Sequence, residues 1–156
     1  MSESKVKEIA KQVAAALAYL QSFKIVHRDL KAENILMTDN SNSAIPKICD
    51  FGFSTFACPN KPLTQGFGSL QYMAPEVLQE KPYYFSCDTW SFGCLLHFLL
   101  SGYLPFDDDC PKKIQKKIFE EDPVTEGPNW KGVSNEAKGI VKGLLKKQVE
   151  KRLSLQ

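Results

Sequence analysis

The stretch His27-Arg28-Asp29-Leu30-Lys31-Ala32-Glu33-Asn34 decides how the rest of the chain is interpreted. It places a carboxylate (Asp29), an ammonium group (Lys31) and a carboxamide (Asn34) in one short loop between two β-prone runs. Phosphoryl transfer needs a base for a hydroxyl, a cation for phosphate oxygens and a neutral oxygen ligand for Mg²⁺. Asp29, Lys31 and Asn34 are therefore the predicted catalytic residues, and loop 27–34 is the predicted centre of the site.

Four helices are predicted around this loop from the spacing of apolar residues. The first covers about 4–22 with apolar residues at i, i+3, i+4 and i+7, and leads directly into the loop. The second begins at Ser86, its predicted N-cap, and runs to Leu100, with Gly102 as the predicted stop. It is apolar nearly all round, which indicates a central helix. Two amphipathic helices follow, from Pro111 and from about Ser134. The inward face of the last is expected to contain Ile140, Val141, Leu144 and Leu145.

A β-hairpin is predicted directly after the loop. Residues 35–37 and 47–49 are β-prone, and the polar tract 38–43 between them is typical of a hairpin loop. The tripeptide Asp50-Phe51-Gly52 ends the second strand, where its carboxylate can meet a metal ion bound by Asn34. Asn34 and Asp50 are therefore the predicted Mg²⁺ ligands.

Composition limits the class of protein. The 156 residues are 43% hydrophobic and 24% charged with a net charge of +2, which is typical of one soluble globular domain. Five cysteines form no C-x-x-C pair, which favours a reducing, cytoplasmic setting over a disulfide framework. The run 92–100 is too short to cross a bilayer, and the lysine clusters are interpreted as solvated helix faces. We therefore expect no membrane or nucleic-acid partner.

Three motifs carry a resemblance to a known family. Loop 27–34 matches the H-R-D-L-x-x-x-N pattern at every fixed position, and Asp50-Phe51-Gly52 and Ala74-Pro75-Glu76 match D-F-G and A-P-E in the same order. The chain resembles the large, C-terminal lobe of a eukaryotic Ser/Thr protein kinase over nearly its whole length. This implies an α+β, mainly α-helical lobe with a short β-hairpin. Residues 1–156 would be a partial kinase domain that lacks the small lobe and has a truncated final helix.

The resemblance also implies roles for the site residues. Asp29 would accept or orient the proton of a protein Ser or Thr hydroxyl, and Lys31 would stabilise the transferred phosphoryl group. Lys31 together with Glu33 resembles the Ser/Thr class, and Leu36 would lie under the adenine ring. The implied binding set for ATP and Mg²⁺ is Lys31, Glu33, Asn34, Leu36 and Asp50.

Further residues are implied to support the site. Arg28 would bind a phosphate on the activation segment, the stretch between D-F-G and A-P-E. The position where related enzymes carry that phosphate is Gln65, so Thr64 is the nearest candidate. Structural roles are implied for His27 stacked on Phe51 in the core, for Ser69 near Asp29 and Lys31, for Asp88 as a brace of the loop, and for a buried Glu76–Arg152 ion pair.

Two interpretations remain open because no G-x-G-x-x-G stretch or V-A-I-K lysine precedes the loop. The chain is either the catalytic lobe of an ATP-dependent Ser/Thr kinase that needs a small lobe, or a noncatalytic kinase-like binding or scaffold module. We expect little phosphoryl transfer by the chain alone and exposed apolar surface around Leu36 and Phe51, with marginal stability. The runs 100–106 and 130–145 resemble the calcium/calmodulin-dependent and calcium-dependent group, but no EF-hand loop or calmodulin-binding tail is encoded.

Overall fold

The computed structural model describes residues 1–41, 43–58 and 60–155. Their secondary structure confirms a mainly helical α+β fold. The helices are α1 (Glu3–Ser22), α2 (Pro75–Leu78), α3 (Ser86–Ser101), α4 (Pro111–Glu120) and α5 (Asn135–Leu144). The strands are β1 (Ile25–Val26), β2 (Ile35–Met37), β3 (Pro46–Ile48) and β4 (Thr55–Phe56). Within the described ranges, none of the helices combines the length and apolarity that crossing a membrane requires.

Helix α3 lies at the centre of the core, as its all-round apolar sequence predicted. Every side chain from Cys87 to His97 is buried. Gly102 ends the helix in the left-handed region with a φ of 83°, where the absence of a Cβ removes the steric penalty. The predicted N-cap was wrong. Phe85 holds that position without a side-chain cap, and Ser86 instead donates its hydroxyl to Glu76 Oε1 at 3.3 Å.

Helices α1 and α5 pack on α3 through amphipathic faces. The stripe of α1 that faces the core is buried as predicted, and it consists of Val6, Ile9, Val13 and Leu17. Helix α5 begins at Ser134, whose hydroxyl oxygen accepts the N–H of Ala137 at 3.1 Å. The prediction that Ile140 points inward was wrong, because its side chain is 49% exposed on a groove between α1, α3 and α5.

Two antiparallel strand pairs hold the segments around the site. The predicted hairpin is confirmed as β2–β3, with Ile35 opposite Ile48, although the second strand begins one residue earlier than predicted. Asn42, in the predicted hairpin loop, lies outside the described residues. The pairing of β1 with β4, which sets Ile25 opposite Phe56, was not predicted. It fastens the chain entering loop 27–34 to the segment that follows Asp50-Phe51-Gly52.

Candidate active site

A buried carboxylate from α3 holds the start of loop 27–34. Asp88 accepts the backbone N–H of His27 at 2.7 Å on Oδ2 and that of Arg28 at 2.9 Å on Oδ1. Arg28 has a φ of 71°, a left-handed conformation that these two bonds help to maintain. Burial raises the pKa of Asp88 more than the two N–H groups lower it. The predicted brace between Asp88 and the loop is confirmed.

Asp29 lies at the centre of a dense polar cluster. Its Oδ2 is 2.9 Å from Lys31 Nζ, and its Oδ1 accepts the backbone N–H of Ser69 at 3.0 Å and the Ser69 hydroxyl at 3.1 Å. Burial alone would raise the pKa of Asp29, but the hydrogen bonds from Lys31 and Ser69 outweigh it and hold the pKa below its ordinary value. Asp29 is therefore an ionised carboxylate at neutral pH, as a proton acceptor must be.

Lys31 bridges Asp29 and the activation segment. Its Nζ donates to Ser69 Oγ at 2.9 Å while it pairs with Asp29. The hydrogen bond to Asp29 raises the pKa of Lys31 against an opposing effect of burial, and the charges of Glu33 and Asp50 raise it further. The predicted contact of Ser69 with both residues is confirmed. The ammonium group stays charged and lies beside the predicted base.

Asn34 and Asp50 offer the oxygen atoms that a hard cation prefers. The amide nitrogen of Asn34 donates to Asp29 O at 2.8 Å and to Asp29 Oδ2 at 3.2 Å, so the amide oxygen is the atom left for a ligand. Asp50 is exposed at a φ of 60°, and its Oδ1 accepts only the N–H of Gly52 among the described residues, at 3.2 Å. The two side chains fit Mg²⁺. Within the described part of the chain no group of three His, Cys, Asp or Glu side chains could hold a metal.

The remaining predicted binding residues lie at the surface. Glu33 is exposed, and Leu36 and Phe51 are 57% and 47% exposed. The ring of Phe51 meets the buried ring of His27 edge-on, with centroids 4.9 Å apart. The predicted stacking is therefore confirmed, but Phe51 is a surface residue and not a core residue. The expected exposed apolar surface around Leu36 and Phe51 is also present.

Phe67 is a residue near the site that sequence reasoning missed. The guanidinium carbon of Arg28 lies 4.3 Å from the centroid of the Phe67 ring, and Arg28 Nε donates to Phe53 O at 2.5 Å. The only signal in the sequence was an aromatic residue two positions before Ser69. Thr64 is exposed, and its phosphorylation stays a prediction.

The end of the activation segment is anchored by the predicted ion pair. Arg152 donates from Nη1 to Glu76 Oε1 at 2.6 Å and from Nη2 to Glu76 Oε2 at 2.9 Å. Arg152 also lies over the ring of Trp90, with its guanidinium carbon 5.1 Å from the ring centroid. The pair fixes α2 and the C-terminal segment against α3, so that the activation segment is held at the end opposite Asp50.

Comparison with known proteins decides the family. The protein kinase domain family matches residues 1–156. The chain belongs to the protein kinase family. Ribosomal protein S6 kinase alpha-4 from Mus musculus and from Homo sapiens are each 39% identical to this kinase chain over 165 aligned residues, which is 99% of the chain and 21% of each relative. The chain spans about a fifth of the length of these curated relatives. The predicted kinase-like C-terminal lobe is confirmed.

Proposed function

We propose that the chain is the catalytic lobe of a Ser/Thr protein kinase, which transfers the γ-phosphate of ATP to hydroxyl groups of a protein substrate. The observation that carries this proposal is the cluster at Asp29, whose carboxylate lies within 3.2 Å of Lys31, Asn34 and Ser69. A base whose carboxylate contacts both a cation and a metal ligand matches the requirements of phosphoryl transfer. The similarity to S6 kinases supports the Ser/Thr class.

Each residue of the cluster has a chemical role in this proposal. Asp29, ionised and aligned by Ser69, accepts or orients the proton of the substrate hydroxyl. Lys31 places a positive charge where negative charge spreads over the transferred group. Asn34 and Asp50 hold Mg²⁺, and Lys31, Glu33 and Leu36 complete the nucleotide-binding set. When bound, ATP and Mg²⁺ supply the phosphoryl group and neutralise its charge.

The proposal includes the organisation expected from the sequence. Residues 1–156 act as the large lobe of a kinase domain, and a small lobe supplies the cover for the nucleotide. The exposed side chains of Leu36 and Phe51 support this, because a nucleotide and a small lobe would bury them. The runs 100–106 and 130–145 support a relation to the calcium/calmodulin-dependent group, and the five free cysteines support a cytoplasmic location.

The test is phosphoryl transfer in the presence and absence of a small lobe. The chain alone is expected to transfer little phosphate to a Ser/Thr peptide library. The chain joined to the small lobe of an S6 kinase is expected to transfer it, with a loss of about 10²–10⁴-fold in Asp29→Asn. A Tyr-only peptide library is the acceptor control. An inactive fusion that still binds an ATP analogue with Mg²⁺ would contradict catalysis.

The second candidate is a noncatalytic kinase-like module that binds a partner. The specific observation in its favour is the same exposed apolar surface at Leu36 and Phe51, which a partner protein could cover. The fusion separates the two candidates. A binding module would bury Leu36 against a partner without transferring phosphate, and Asp29→Asn would leave its affinity for that partner unchanged.

A further inference from the structure

The side chain of Arg28 contacts an aromatic ring and a backbone carbonyl of the activation segment. Its guanidinium carbon lies 4.3 Å from the Phe67 ring centroid, and its Nε donates to Phe53 O at 2.5 Å. The Phe67 ring also contacts the ring of Phe53, with centroids 5.5 Å apart. The hydroxyl of Tyr83 donates to Gln65 O at 2.6 Å, in the same segment. Phe67 is therefore packed between a cation and a second aromatic ring.

This contact continues along the backbone into the proposed active site. Gly68, the next residue, has a φ of 104°, and a Cβ there would lie 2.3 Å from the carbonyl oxygen of Arg28. The two backbones therefore approach as closely as only glycine allows. Ser69 follows and bonds Asp29 through both its N–H and its hydroxyl. Residues 67 and 68 thus contact Arg28, and Ser69 contacts Asp29.

A kinase activation segment is commonly ordered by a phosphate that pairs with an arginine. In this chain the arginine side chain already faces an aromatic ring, and the interaction of guanidinium with a π face is attractive without any phosphate. We propose that Phe67 is a positioning residue that replaces such a phosphate. By stacking on Arg28 it holds Gly68 and Ser69 against Asp29, so that the base is aligned without phosphorylation of the segment. This inference concerns the regulation of the site and rests on the proposed function.

Hydrogen exchange of the 156-residue chain tests the role of Phe67 without measuring catalysis. Phe67→Leu keeps apolar bulk but removes the π face, and it is expected to speed exchange in peptides spanning 66–73 by roughly 5- to 30-fold. Phe67→Tyr is expected to restore the wild-type rate, which general apolar packing alone would not explain. Phe56→Leu is the matched control, because Phe56 is an exposed aromatic on β4. An exchange rate at 66–73 in Phe67→Leu equal to that of the wild type would overturn the proposal.

A second measurement, on the wild type and on Phe67→Leu, uses inorganic phosphate as the probe. Phosphate, titrated against chloride at constant ionic strength, is expected to leave exchange at 66–73 unchanged in the wild type and to slow it in Phe67→Leu, where Arg28 is uncovered. Slower exchange in the wild type at the same phosphate concentration would overturn the proposal, because Arg28 would then be open to an anion. Neither result depends on phosphoryl transfer, so failure here is distinguishable from failure of the proposed function.

Discussion

Replacing Arg152 by methionine should lower the free energy of unfolding by about 3–5 kcal/mol. The side chain of Arg152 is 1% exposed and that of Glu76 is 7% exposed, so methionine would leave a carboxylate buried without its counter-ion. The same change removes the hydrogen bonds that Arg152 donates to Ser86 O at 2.8 Å and to Lys146 O at 2.9 Å. Half-buried carbonyls that lose a donor add to the cost.

The partner substitution Glu76→Gln should cost less, about 2 kcal/mol. Its amide oxygen can still accept one hydrogen bond, and Arg152 keeps its backbone carbonyl acceptors and its contact with the Trp90 ring. The double variant should cost less than the sum of the single variants by at least about 1 kcal/mol, because the second change removes a group that the first has already left unpaired.

Urea unfolding followed by the fluorescence of Trp90 and Trp130 measures these differences. In thermal unfolding, Arg152→Met should lower Tm by about 6–20 °C, since each kcal/mol shifts Tm by about 2–4 °C at this chain length. Lys151→Met is the control, because Lys151 is exposed and its replacement should stay within about 0.5 kcal/mol. A cost below about 1 kcal/mol for Arg152→Met, or strictly additive single variants, would refute the reasoning.

Three further substitutions have defined outcomes. Gly93→Ala should destabilise the chain by about 1–3 kcal/mol in urea, because the new Cβ would lie 2.9 Å from Leu144 Cβ; an unchanged midpoint would show that α5 can move aside. Asp88→Asn should cost about 1–3 kcal/mol and speed hydrogen exchange at Arg28, since one amide oxygen cannot accept both loop N–H groups as the carboxylate does. Burial lowers the pKa of His97 although two backbone carbonyls face its ring nitrogens and raise it. The unfolded chain therefore binds more protons below pH about 6.5. The free energy of unfolding should decrease as the pH is lowered, by up to about 1.4 kcal/mol per pH unit, until the pH reaches the folded-state pKa of His97. His97→Gln lacks this group, so the difference in the free energy of unfolding between wild type and variant should show that slope.

The parts of the fold that follow from local sequence could be predicted. The apolar stripe of α1 and the all-round apolar sequence of α3 give helices whose burial follows directly from residue type. The grouping of Asp29, Lys31 and Asn34 could also be predicted, because three polar side chains so close in sequence lie close together in one short loop. The contact of Ser69 with Asp29 came from the family resemblance and not from residue chemistry.

The features that sequence did not reveal depend on long-range packing. Strands β1 and β4 have two residues each, which is too short for a periodic signal, and their pairing joins segments about 30 residues apart. Ile140 fits the inward spacing of α5, yet it lies where no element of the described chain covers it. The stacking of Arg28 on Phe67 has no local pattern, because the two residues meet only after the activation segment folds back.

Three buried carboxylates connect the candidate active site to the core through hydrogen bonds. As whole residues, Asp29, Glu76 and Asp88 are 3%, 6% and 6% exposed, and burying a charge costs several kcal/mol unless donors compensate it. In each case at least one donor comes from a distant segment: Ser69 for Asp29, Arg152 for Glu76, and the backbone of loop 27–34 for Asp88. An apolar side chain at any of these positions could pack without selecting one partner segment. Each buried carboxylate is thus satisfied across a long sequence separation, and for Asp29 this contact places Ser69 against the predicted base.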